Sequence, residues 1–84
     1  MKFCVITFRS ITPAQKAESL LRHAGFICSI RRMPRWMEEQ GCGYSVRVNS
    51  QDGEGCVKLL RFNNLPFKKV YLQEENGTIE EISL

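Results

Sequence analysis

Two hydrophobic periods run through this chain, and they predict its elements. Residues 2–8, KFCVITF, are a nearly continuous apolar run with β-branched and aromatic side chains, which reads as a central strand near residues 2–9. In the segment RSITPAQKAESLLRHAG, Ala17, Leu20, Leu21 and Ala24 recur at helical spacing on one face. Thr12 serves as the expected N-cap, Pro13 as the first helical residue and Gln15 as the partner in a capping box, so a helix is predicted near 13–24, ended by Gly25. FICSIRR predicts a strand near 26–32. MPRWMEEQGCG is a connection with room for a helical turn after Pro34. YSVRVN alternates with period two: Tyr44, Val46 and Val48 share one face, and Ser45, Arg47 and Asn49 share the other. A second helix is predicted near 53–63 with Cys56, Leu59 and Leu60 on its apolar stripe, and its two early glycines blur where it starts. A last main strand is predicted near 68–73. The Asn76-Gly77 turn signal leaves room for a short added strand.

The resulting order, β-α-β-β-α-β, predicts an α+β fold of ferredoxin-like type. It has a four-stranded antiparallel sheet with both helices on one face. At 84 residues the chain is one domain, 1–84, with an acidic tail over 72–84. A core this small leaves no large cofactor cavity. None of the residues call for a cofactor.

Charge changes the picture by its distribution. Residues 1–42 carry seven Lys/Arg and three Asp/Glu, whereas residues 43–84 carry five and six. The net charge of +3 is too mild to argue for nucleic acid. GCGYSVRV superficially resembles an RNA-binding third strand, but its phase puts Cys42 where a stacking aromatic belongs, so nucleic acid is not an expected partner. No stretch approaches the roughly 20 apolar residues of a membrane span, and no signal peptide is recognisable, so the expected location is cytoplasmic. The four cysteines then stay reduced. Lacking any CxxC pair and with one histidine, His23, the chain offers no metal site. His23 reads as a surface residue near a helix C-terminus.

Cys42 stands apart from the other thiols. Cys4, Cys28 and Cys56 fall on strand or helix positions that read as core. Cys42 lies between Gly41 and Gly43 in a loop, where glycines allow a sharp turn and leave a neighbour uncovered. In the predicted topology the start of the third strand lies beside the end of the first, where the first helix begins. Cys42 would then sit near Arg9, Ser10 and Thr12, with Arg31, Arg32 and Arg35 at the same edge. Positive charge and a helix N-terminus favour a thiolate nucleophile, and the same groups would bind an oxyanion. The arginines of RRMPR equally fit a solvated loop. Trp36 fits either a lid over the core edge or a docking residue.

The motif FRS-x-x-x-A-x-K-A-x-x-L-L at residues 8–21, the Pro-containing Arg-rich loop and Gly41-Cys42-Gly43 before a strand resemble the Se/S carrier protein-like family of small bacterial proteins. The likeness runs from about Val5 to Tyr71. It implies selenium or sulfur handling with Cys42 as the carrier thiol, and donor and acceptor proteins as partners. The expected role is a carrier or accessory protein rather than a turnover enzyme, with turnover left open. The alternative is a small anion-binding regulatory module without thiol chemistry, which holds its ligand at the N-terminus of the first helix and uses Cys42 only as a turn residue. A sheet face bearing Phe3, Val5 and Tyr71 would be open, which suggests a homodimer or partner surface.

Overall fold

The computed structural model describes residues 2–84. Its main elements are β1 (Phe3–Phe8), α1 (Ile11–His23), β2 (Cys28–Arg32), α2 (Arg35–Glu38), β3 (Tyr44–Asn49), α3 (Gly53–Phe62), β4 (Val70–Gln73) and β5 (Ile79–Ile82). A single 3-10 turn, Ser50–Asp52, leads into α3. The sheet has the order β2-β3-β1-β4-β5, and every neighbouring pair is antiparallel. It has five strands rather than the expected four. The fifth follows a turn in which the Asn76 side chain accepts from the Thr78 N–H at 3.0 Å and Gly77 takes φ +88°.

β1 lies at the centre of the sheet, between β3 and β4. Cys4, Ile6 and Phe8 face α1 and α3, where they meet Ala14, Ala17 and Leu21 from one helix and Cys56, Val57 and Leu60 from the other. Val5 and Thr7 point to the opposite face and are buried as well. Burial on both faces explains why β1 reads as a continuous apolar run while β3 alternates. Burying a side chain such as Leu21 or Phe8 contributes about 1.5–3 kcal/mol.

Both long helices end in the same way. After α1, Gly25 at φ +94° directs its N–H to the Arg22 carbonyl at 3.0 Å, and Phe26 bonds back to Leu21 at 3.0 Å. After α3, Asn64 at φ +55° bonds to Arg61 and Leu65 to Leu60, at 3.0 and 2.9 Å. These are Schellman caps, which satisfy the last helical carbonyls. Gly53 has a packing role. A Cβ there would stand 2.7 Å from Cys4 Sγ, so only glycine lets α3 approach β1 this closely.

The start of α1 departs from expectation. The N-cap position is Ser10, two residues before Thr12, and no side-chain capping bond is made. Thr12 is exposed inside the first turn. Pro13 does not discriminate between these starts, because none of the first N–H groups of a helix has an intrahelical partner. The sheet face expected to be open is also partly covered. Val5 and Tyr71 are buried in a second cluster with Met37 and Cys42, flanked by Met33 and Ile79, while Phe3 stays half-buried.

Candidate functional site

The second cluster is built around the loop between β2 and β3. Pro34 starts α2, its carbonyl accepting from the Met37 and Glu38 N–H groups at 3.0 Å. The chain then leaves by a third cap of the kind that ends α1 and α3. The Gly41 N–H bonds to the Glu38 carbonyl at 3.0 Å, and the Cys42 N–H to the Met37 carbonyl at 2.9 Å, with Gly41 at φ +84°. In such a cap the residue after the left-handed glycine packs its side chain back on the helix. Here that residue is Cys42, and it shares the cluster with Met37.

The two glycines therefore shape backbone. Gly41 supplies the left-handed turn. Gly43 faces the Arg9 carbonyl oxygen at the end of β1, where a Cβ would stand 3.4 Å away, an ordinary contact. They do not uncover the thiol. Cys42 is 1% exposed, which overturns its expected exposure. Glycine flanks remove cover only from the local chain. The cover here comes from Met37, five residues back, and from Thr7 and Tyr71 across the sheet.

Thr7 Oγ1 lies 3.4 Å from Cys42 Sγ, across the buried face of β1. The same oxygen accepts from the Lys69 N–H at 2.9 Å and lies 3.1 Å from the Lys69 carbonyl. A hydroxyl has one proton and two acceptor lone pairs. With Lys69 N–H on one lone pair, Thr7 can donate to the Lys69 carbonyl while accepting from a Cys42 S–H, or it can turn its proton to the sulfur. The hydroxyl thus has a partner whether or not the sulfur carries its proton. Lys68 adds charge next to the turn: a Cβ on Gly41 would stand 3.8 Å from its Nζ. Tyr71 completes the surroundings. Burial pushes its phenol up, Lys69 opposes that, and Cys42 and Glu81 add to it.

The other three thiols belong to the helical core, and all four cysteines are free. Burial pushes Cys4 up to about 11. It pushes Cys56 up to about 12, with smaller contributions from Asp52, Cys4 and Cys28. Burial also raises Cys28, against the opposing Arg22, and its sulfur lies 3.7 Å from the Glu18 carbonyl as a donor. Desolvation disfavours the charged form at all three.

The predicted basic cluster separates into three places. Arg9 and Ser10 line a groove with Pro13, Phe67 and Lys68 at the start of α1. Arg31 lines a cleft on the sheet face opposite α1 and α3. Arg35 is exposed on α2, beside Arg32, Glu38 and Glu39. The Arg32 guanidinium pairs with Glu38 at 3.2 Å. Of the predicted residues, Arg9 meets the Gly41–Gly43 turn through its backbone carbonyl. Thr7, Met37 and Lys68 lie outside the predicted set, and the sequence places Tyr71 on an open sheet face rather than beside Cys42. Thr7 carried a signal, as the one polar side chain inside the apolar run of β1.

Among the described residues no helix is long and apolar enough to cross a membrane. Comparisons with curated proteins and with solved structures yield no match. A family model described as "Putative Se/S carrier protein-like" matches residues 3–72, which takes in β1, α1, β2, the Gly41-Cys42-Gly43 turn, β3 and α3 and ends within β4. The chain belongs to the Se/S carrier protein-like family.

Proposed function

We propose that the protein carries sulfur or selenium on Cys42, accepting it from a donor protein and handing it to an acceptor. The observation that carries this reading is the Thr7 hydroxyl 3.4 Å from Cys42 Sγ, free to act toward the sulfur as donor or acceptor. The other three thiols sit in the helical core, where burial opposes ionisation. The family name supports a Se/S role.

Loading needs little machinery. The Cys42 thiolate attacks the terminal sulfur of a donor persulfide, R–S–SH. A new S–S bond forms at Cys42, the donor's S–S bond breaks, and the donor leaves as R–S⁻. A donor R–S–SeH gives Cys42–S–SeH by the same exchange. Unloading repeats it with an acceptor nucleophile. Access requires the α2 loop to lift. That loop is a four-residue helix closed by one cap, a segment from the low-stability end of a fold. Arg9 and Lys68, beside the turn, are proposed to meet an acidic patch on the partner. The order β2-β3-β1-β4, with α1 and α3 on one face, supports a ferredoxin-like reading of the first four strands.

The test is intact and peptide mass spectrometry after incubation with a small-molecule persulfide. The expected result is one added sulfur on the Cys42 peptide, removable by cyanide and lost in Cys42→Ser. Sulfur retained in Cys42→Ser, or none taken up by the native chain, contradicts the reading.

A further inference from the structure

The sheet face opposite α1 and α3 carries a cleft of about 370 Å³, separate from the groove at the start of α1. Val5 of β1, Arg47 of β3 and Arg31 of β2 line it along the sheet. Met33 and Trp36, from the α2 segment, close one side, and Ile79 of β5 contributes at the other. The volume falls in the range of small-molecule sites, roughly 300–1,000 Å³.

Its charge is unbalanced. Arg31, Arg32 and Arg47 all line the cleft, and no acidic residue does. Arg32 is neutralised by Glu38. Arg47 lies over the Phe3 ring at 4.3 Å, a contact that orients the guanidinium and leaves its charge in place. Among the described residues neither Arg31 nor Arg47 forms an ion pair. Two positive charges are therefore uncompensated beside an apolar wall of Val5, Met33 and Ile79. Trp36 is 54% exposed and offers an indole face at the rim.

We propose that this cleft binds a small phosphate monoester carrying a planar ring, of which a nucleoside monophosphate is the simplest kind. The match is one of charge and shape. A phosphate monoester carries about −1.5 to −2 at neutral pH, which the two free guanidiniums balance. Guanidinium forks suit phosphate oxygens, and a planar ring packs on indole and aliphatic side chains. The site uses no thiol chemistry and stands whether or not Cys42 carries cargo.

Trp36 is the chain's one tryptophan, so its indole N–H gives a single reporter resonance at the rim. AMP is titrated into isotopically labelled native protein, with adenosine and inorganic phosphate in parallel. The expected result is a saturable shift of the Trp36 signal by AMP at submillimolar concentration. Adenosine and phosphate each bind about tenfold or more weaker, since each lacks half of the match. Arg31→Gln, on an exposed edge-strand position, weakens AMP about tenfold while the rest of the spectrum stays folded. Lys58→Gln on α3 leaves AMP binding unchanged. The proposal is overturned if AMP gives no saturable shift, if phosphate or adenosine alone binds as tightly, or if Arg31→Gln and Lys58→Gln behave alike.

Discussion

The two faces of the sheet bury Cys4 and Cys56, on one side, and Cys42, on the other, equally well and by different means. On one face Cys4 and Cys28 lie beneath α1 and α3, of 13 and 10 residues, and Cys56 projects from α3 into the same larger core. On the other, Cys42 is 1% exposed under a helix of four residues. Static exposure does not tell these thiols apart. What must move to reach them does. Uncovering Cys4 or Cys56 means parting two long helices from the sheet, whereas uncovering Cys42 means lifting one short loop. On the proposed carrier reading, a thiol protected between transfers and reachable during them belongs on the second face.

Mutations in the two roofs should expose the difference most strongly. Leu21→Ala, in the helical core, should lower unfolding free energy by about 3 kcal/mol and leave the relative labelling order of the four thiols unchanged. Met37→Ala should cost about 2 kcal/mol, at the low end of the range because a four-residue roof can settle or admit water. It should also speed alkylation of Cys42 alone by about tenfold or more, as read by per-site mass spectrometry.

Two glycines with similar backbones give a closer comparison. Gly25 and Gly41 take φ +94° and +84°. Alanine at either should cost about 1 kcal/mol in urea unfolding, from left-handed strain. Gly41→Ala should speed alkylation at Cys42, and Gly25→Ala should not, because it strains the end of α1.

Alkaline pH should act on the helical face. The thiols of Cys4 and Cys56 stand near 11 and 12 when folded, above their ordinary 9.0. Above about pH 9 the unfolded chain releases these protons while the folded chain keeps them. Their contribution is complete below pH 9 and is lost progressively as pH rises toward 11 to 12. Urea unfolding between pH 8 and pH 11 should show the decline, and Cys56→Ala should flatten it. A decline unchanged in Cys56→Ala would locate the loss elsewhere.

The smallest effects belong to the exposed ion pair Glu54–Lys58 on α3, 3.3 Å apart at the surface. Lys58→Gln should leave both the unfolding midpoint and the Cys42 alkylation rate unchanged within error, as isolated exposed pairs contribute little.

Much of the fold was legible because it is written in local periods. β3 falls on its predicted residues, and the ends of α1 and α3 lie within a residue of theirs. The pairing of β1 with β3, which grouped Cys42 with Arg9, followed from element order and is present. The start of α1 was read two residues late because Thr12, Pro13 and Gln15 imitate a cap that the chain does not use. The surroundings of the candidate thiol were not legible: Cys42 is buried where its glycine flanks suggest exposure. Gly41 precedes Cys42 because it closes a helix cap, not because it uncovers the thiol. The cover over the thiol comes from Met37 through that cap and from Thr7 and Tyr71 across the sheet. No window of the sequence holds these together, and of the arginines grouped by strand edge Arg9 lines a groove at the start of α1 while Arg31 lines the cleft on the far sheet face.

The most direct test of the account is the alkylation rate of each cysteine in the native protein as urea is raised below the unfolding transition. Cys42 should react by local opening, at a rate nearly independent of urea, while Cys4 and Cys56 react only through global unfolding, at rates that climb steeply with urea. Cys42 reacting with the same urea dependence as Cys4 and Cys56 would mean that it is core like them, and would contradict the carrier reading.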